Sequence, residues 1–250
     1  MSLEVTVLGS SGGYAGAGKA CSGYLLRHGE NSLMLDIGSG SLANLLVQLP
    51  ADGLGGLAIT HMHYDHYVDI YGLATARRFW ESTLPPLPLL APPGAMDVIG
   101  SPLSDGSRTR FFECFEVTGH QAGETREIAG FELVALPARH ITGSFSFRVT
   151  AGGRTVCYSG DTDVCDSLLQ LAGGVDLFIC ESTFTSEVPN KEPGHLYARE
   201  AGDMATRAGA GSLLLTHLWP TLDGRRALED ARSNYKGPIE LALEGQTLEV

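Results

Sequence analysis

The stretch LAITHMHYDHYVDIYGL sets His61, His63, Asp65 and His66 within six positions, directly after an apolar run. The chain has eight histidines in 250 residues, so three beside one aspartate concentrate its metal-binding groups. Imidazole and carboxylate suit borderline divalent ions, zinc first, with manganese or iron also accepted. Residues two apart on an extended segment face the same way. His61 and His63 can therefore address one ion, and a following turn would direct Asp65 and His66 to a second. Each pair leaves its ion short of ligands, so the remainder must come from elsewhere in the chain.

Polar residues that close apolar runs are the candidates. His140 ends FELVALPARH, Asp161 ends TVCYSGD and His217 ends SLLLTH. Asp36 ends SLMLD and could hold a ligating histidine by its other ring nitrogen. A single histidine at a strand end is ordinarily a surface or hydrogen-bonded residue; the joint pattern is what argues for ligands. His120 in VTGHQAG and His28 in LLRHGE stand outside that pattern and are expected on the surface. Tyr64, alternating away from the ligands, is expected to pack on the core.

Strands must position these side chains. LEVTVLG, SGYLLRH, NSLMLDIGSG and GGLAIT are strand-length apolar runs bounded by Gly, Asn, Ser or a charge. FELVALPARH, SFSFRVTAGGRTVCYSGDT, VDLFICEST and SLLLTHLWP repeat the pattern in the second half, and PPLPLLAPPGAM suggests a short strand among loops. Helices are predicted from Ser41 to Gln48, capped by the serine and stopped by Pro50, and over about Val68 to Glu81, with Val68, Leu73, Ala76 and Phe79 inward. GHLYAREAGDMATRAGAG and Arg225 to Tyr235 read as two more, before closing strands in GPIELALEGQTLEV. Two sheets packed face to face with helices outside fit this order; a single doubly wound parallel sheet is the competing topology. GSSGGYAGAG looks like a phosphate loop only superficially, because it lacks GxxxxGK[ST].

At 43% hydrophobic, with no evident linker or low-complexity stretch, residues 1–250 are expected to form one domain with a sizeable core. A formal charge of −12, from 29 acidic and 17 basic residues, argues against a broad nucleic-acid surface. Five scattered cysteines without a CxxC suggest small apolar packing and a reducing cytosol. No export leader and no membrane-length apolar run is evident, so a cytoplasmic location is expected.

THMHYDH matches the HxHxDH motif of the metallo-β-lactamase fold superfamily. LDIGSG precedes it, and ARH, SGDT, ESTF, GHLYAREAG and LLLTHL follow in the family's order, so the resemblance covers nearly the whole chain. It implies a four-layer αββα sandwich of two mixed sheets with the site at one edge. It also implies that His61, His63 and His140 hold one ion, that Asp65, His66 and His217 hold the other, and that Asp161 bridges them. Two such cations acidify a bridging water to hydroxide and neutralise an anionic substrate. Similar proteins are usually dimers, so a homodimer is expected.

That chemistry serves several bonds, and fold alone does not choose among them. The bridging residue lies in SGDT, not at the cysteine of many true β-lactamases. ESTF and GHLYAREAG resemble the ribonuclease Z branch, in which the histidine matching His195 is a candidate general acid oriented by the glutamate matching Glu181. Asp65, both ligand and reaction-site residue, joins His195 and Glu181 as the catalytic candidates; the bland alternative for His195 is an inert residue opening a helix. Ser144, in ITGSFSFRV, is a possible pocket-shaping residue. The branch's basic tRNA-binding arm is missing, because His140 and Asp161 are only 21 positions apart. The segment near Lys19 lacks a PxKxRN-like pattern, and Leu-Tyr follows His195 in place of Ser-Thr. Extended nucleic-acid binding is thus not expected. The leading expectation is a phosphodiesterase acting on a small, cyclic or exposed phosphodiester. A thioester or lactone hydrolase, a ribonuclease Z-type tRNA 3′-end endonuclease and a non-catalytic metal-binding regulatory protein are the alternatives.

Overall fold

The computed structural model describes residues 1–81 and 83–250. The first sheet contains β1 (Leu3–Gly9), β2 (Gly23–His28), β3 (Asn31–Leu35), β4 (Gly56–Ala58), β5 (Leu87–Ala91) and β6 (Phe115–Gly119). The second contains β7 (Thr125–Ile128), β8 (Phe131–Pro137), β9 (Phe145–Ala151), β10 (Arg154–Tyr158), β11 (Leu177–Glu181), β12 (Ser212–Thr216) and β13 (Ile239–Leu241). The last strand, β14 (Thr247–Glu249), returns to the first sheet beside β1, so the chain's end stitches the two sheets together. The orders are β14-β1-β2-β3-β4-β5-β6 and β13-β12-β11-β10-β9-β8-β7, each mixing parallel and antiparallel pairs. The two sheets exclude the single doubly wound sheet.

Alternation along the strands builds the layers. In β8, Phe131, Leu133 and Ala135 face the gap between the sheets, whereas Val134 and Leu136 face the helices. β11 is buried on both faces: Leu177 and Ile179 meet the opposite sheet, and Phe178 and Cys180 meet helices. Val5, Val7, Tyr24 and Leu33 complete the central core from the first sheet. Helices α1 (Ser41–Gln48), α2 (Tyr64–Tyr67), α3 (Ile70–Arg78), α4 (Ala95–Gly100) and α5 (Asp105–Phe112) belong to the first half. α6 (Asp166–Ala172), α7 (Ala198–Ala208) and α8 (Gly224–Asn234) cover the outer face of the second sheet. Among the described residues, no helix is long and apolar enough to cross a membrane.

Several local expectations are corrected. α1 spans the predicted residues, but Ser41 does not cap it: its Oγ is buried and donates to Gly38 O at 2.7 Å. Asp69 Oδ2 caps from a distance, accepting from Gly40 N at 2.8 Å and Leu42 N at 3.0 Å. The second helix starts later and ends at Arg78, leaving Phe79 74% exposed. Its buried positions are Ile70, Leu73, Ala74 and Arg77, whose guanidinium donates to Ala51 O and Pro85 O, each at 2.8 Å. Arg77, Arg78 and Trp80 line a cleft of about 310 Å³ that includes none of the candidate ligands. Tyr64 is 60% exposed, because the one-turn α2 directs Asp65 and His66 inward instead. His120 is buried, not superficial: Nε2 donates to Ile59 O at 2.7 Å, and Phe145 and Phe147 flank the ring. The strands β6 and β7 and the helices α4, α5 and α6 have no counterpart in the sequence reading. β9 and β10 are joined by Gly152 and Gly153 alone, both at positive φ, so the His140–Asp161 interval is a tight hairpin without room for an arm.

Candidate metal centre

Carboxyl ends of parallel strands converge at one edge of the sandwich, a usual place for ligands in mixed α/β sheets. Asp36 follows β3, and His61 and His63 lie in the loop after β4. Asp161 follows β10, Glu181 ends β11, and His217 follows β12. His140 sits in the turn after β8, which is closed by Ala138 N donating to Ser144 O at 2.9 Å. Asp36 and His217 both hold positive φ, 55° and 56°, a strained backbone for non-glycine residues that aims each side chain inward.

The structure brings all seven expected ligands together. Ligand atoms of His61, His63, His140 and Asp161 lie within 4.8 Å of one another, as do those of Asp65, His66 and His217. Asp161 joins the groups: Oδ2 is 3.7 Å from His61 Nε2 and 3.9 Å from His140 Nε2, while Oδ1 is 3.2 Å from His66 Nε2 and 3.3 Å from His217 Nε2.

Hydrogen bonding behind the rings decides which nitrogens face inward. His66 Nδ1 donates to Asp36 Oδ2 at 2.7 Å, and His140 Nδ1 donates to Gly194 O at 3.0 Å. Thr183 Oγ1 gives its proton to Glu181 Oε2, so at 2.9 Å it accepts from His217 Nδ1. Thr60 Oγ1, bonded to Asp36, accepts likewise from His61 Nδ1 at 3.1 Å. Each of these four rings therefore turns an Nε2 lone pair into the centre when neutral. His66 Nε2 and His217 Nε2 stand 3.3 Å apart. Buried His61 Nε2 and Asp161 Oδ1 have no hydrogen-bond partner among the described residues. Converging lone pairs with nothing to accept from cost about 1–3 kcal/mol each, and a cation removes that cost. The donor set fits two divalent ions, with imidazole and carboxylate as the ligand chemistry.

The electrostatics agree. Burial works against charge on His61, His63 and His140, and holds all three below the ordinary histidine value. Burial also opposes charge on Asp161 and Asp65, but the surrounding imidazoles outweigh it and hold both well below the carboxylate range. Among the described residues, the ionic contacts of Asp36, Asp65 and Asp161 involve histidine and no lysine or arginine. His66 compensates in part: burial is overcome by Asp161, Asp36 and Asp65, raising the ring well above its usual value.

His195 stands at the rim. Its Nδ1 is 3.1 Å from Glu181 Oε1 and 3.9 Å from Asp161 Oδ2, and the ring stacks on His217 at 5.8 Å. Burial disfavours its charge, but the hydrogen bond and charge of Glu181 prevail, lifting it to about 9. Ser144, in the His140 turn, is buried, and its Oγ has no hydrogen-bond partner among the described residues.

Sequence reasoning missed the glycines. Gly13 N donates to Asp65 Oδ2 at 2.8 Å, so the loop that only superficially looks like a phosphate cradle orients a candidate ligand carboxylate. A Cβ on Gly12 would lie 2.5 Å from His217 O, and one on Gly38 would lie 1.9 Å from Asp65 O. Thr183 and Tyr158, which donates to Asp36 Oδ2 at 2.7 Å, were missed as well. The recurrence of Ser and Thr immediately after strand ends was the available signal.

A family model described as a beta-lactamase superfamily domain matches residues 36–218. The uncharacterised protein Rv1339 of Mycobacterium tuberculosis is 34% identical over 261 residues, covering 100% of this chain and 93% of its own length. Ribonuclease Z of Mycobacterium bovis is 28% identical over 279 residues, covering 99% and 98%. The probable metallo-hydrolase YhfI of Bacillus subtilis is 31% identical over 266 residues, covering 97% and 98%. Its crystal structure, a metallo-beta-lactamase fold protein, superposes over 100% of both chains with a TM-score of 0.91 at 29% identity. With this fold and these side chains, the chain belongs to the β-lactamase superfamily as a metallo-hydrolase.

Proposed function

We propose that the protein is a dinuclear metal-dependent phosphodiesterase acting on a small, cyclic or exposed phosphodiester. The observation that carries this reading is the His195–Glu181 pair beside the ligand cluster. His61, His63, His140 and Asp161 would hold one ion, and Asp65, His66, His217 and Asp161 the other. Bound there, zinc or a similar ion supplies water activation and charge neutralisation for an anionic substrate.

The chain's own residues supply the rest. Glu181 and Thr183 engage His195 Nδ1, which leaves Nε2 to carry the mobile proton. The raised affinity of the ring keeps that proton in place at neutral pH until a leaving oxygen needs it. An alkoxide leaves poorly without a proton, and phosphodiesters of sugars and alcohols present that difficulty. Resemblance to a protein named Ribonuclease Z supports the same bond class. The tight β9–β10 hairpin and the charge of −12 support a compact substrate over a folded RNA.

The test is to load the protein with zinc or manganese and assay bis(p-nitrophenyl) phosphate and a cyclic phosphodiester. Metal-dependent turnover of both is expected. A fully metallated protein inert on every phosphodiester, yet active on thioesters or lactones, overturns the proposal.

A further inference from the structure

An aromatic file leads outward from the proton donor. His195 meets the edge of Phe184 at 6.1 Å, and Phe184 lies nearly parallel to Trp219 at 6.3 Å with 20° between planes. Trp219 in turn meets Tyr14 edge-on at 5.6 Å. The outer two rings are both exposed and touch each other, with Tyr14 41% and Trp219 38% exposed. Both belong to segments already tied to the metal centre. Trp219 follows the ligand His217 by two residues, and its N–H donates to Thr183 O at 3.1 Å. Tyr14 follows Gly13, whose N–H holds Asp65. Gly13 has φ of 73°, and a Cβ there would lie 2.8 Å from Trp219 Cζ3. The missing side chain is therefore the seat of the indole.

The indole N–H of Trp219 and the hydroxyl of Tyr14 make no hydrogen bond among the described residues, so each partly exposed ring carries a free polar edge. Flat rings with free polar edges, reached from His195 by two ring-to-ring steps of 6.1 and 6.3 Å, suit a flat heterocycle with acceptors on its rim. We propose that Tyr14 and Trp219 form a subsite for a planar heteroaromatic ring carried by the substrate, as a nucleobase is carried beside a phosphodiester. This assignment rests on the phosphodiesterase reading and narrows it: the subsite selects base-bearing esters over aliphatic ones of the same reactivity.

Two measurements test it. In the first, zinc-loaded protein is assayed on adenosine 2′,3′-cyclic phosphate and glycerol 1,2-cyclic phosphate. The ratio of their kcat/KM values is expected to fall about tenfold or more in Trp219→Ala, mainly through KM, and to be largely restored in Trp219→Phe. In the second, adenosine monophosphate is expected to quench tryptophan fluorescence in the wild type and Trp80→Phe, but not in Trp219→Phe. An unchanged ratio together with no quench, while turnover persists, overturns the subsite alone. Quenching without turnover of either ester overturns the phosphodiester reading and leaves the ring subsite standing. If Trp219→Ala instead changes the sedimentation coefficient and leaves the ratio alone, the rings cover a second copy of the chain and the proposal is wrong.

Discussion

Glu181 has both oxygens committed: Oε1 accepts from Thr162 N at 2.8 Å and holds His195, while Oε2 accepts from Leu196 N at 3.0 Å and from Thr183. A carboxylate pinned on every side cannot follow a wandering ring, so the ring must come to it. This holds Nδ1–H of His195 on Glu181 and leaves Nε2 as the nitrogen that would serve in the proposed reaction. The consequence depends on the leaving group. For an ester that expels a sugar or alkyl oxygen, His195→Ala should lower kcat by about 10²- to 10⁴-fold, the usual contribution of a positioned proton donor. p-Nitrophenolate departs without a proton, so bis(p-nitrophenyl) phosphate should suffer a much smaller loss. Steady-state kinetics of the variant on both ester types measures the difference. Equal losses would mean that His195 shapes the site without giving up a proton.

The elements hold the candidate ligands through contacts between segments distant in the chain, and glycine makes the closest of them possible. Gly38, between β3 and α1, faces the one-turn α2 so closely that a Cβ would stand 1.9 Å from Asp65 O and 2.7 Å from Cys21 Cβ. Backbone on one side leaves no flexible end to yield, so Gly38→Ala must push α2 outward with Asp65 and His66 aboard. Metal content by elemental analysis should fall by at least about one ion per chain, since losses at ligand-orienting positions reach about 10- to 100-fold in affinity. Full occupancy in a folded Gly38→Ala protein would refute this account. The convergence of the candidate ligands was legible because HxHxDH is local, and because His140, Asp161 and His217 each end an apolar run. The fold followed from strand-length runs of alternating or continuous apolar residues. What stayed hidden depends on tertiary partners. Asp69 caps α1 from 27 positions away, Gly13 serves Asp65 from 52 positions away, and the burial of His120 follows from β9 supplying Phe145 and Phe147. The short α4 and the polar α5 lack a clear apolar period, so neither showed in the pattern.

At the scale of the molecule, two features make stability depend on conditions. Burial keeps His120 neutral in the fold, with its affinity for a proton lowered to about 4. The unfolded chain binds that proton below about pH 6.5, so acid favours unfolding between the two values. The contribution is complete above about pH 6.5 and is lost as pH falls toward 4, amounting to about 3 kcal/mol at most. In metal-free protein, His120→Gln should flatten the acid limb of urea stability over that window; parallel limbs would show that the ring does not titrate there. Metal bound at the candidate centre would act more broadly, because the candidate ligands come from both sheets. His61, His63, Asp65 and His66 follow a strand of the first sheet, while His140, Asp161 and His217 follow strands of the second. Ions bound there join the layers at the edge where converging lone pairs and buried carboxylates otherwise repel. Ligand binding restricted to the folded state adds about 4 kcal/mol when free metal is 1,000 times its Kd. For a chain of this length each kcal/mol moves Tm by about 2–4 °C, so chelation should lower Tm by about 8–16 °C. Calorimetry of the zinc-loaded and chelator-treated protein, followed by zinc readdition to restore the higher transition, measures this directly. Superposed transitions would mean that the sheets are held together without the ions, and that the seven side chains are not their ligands.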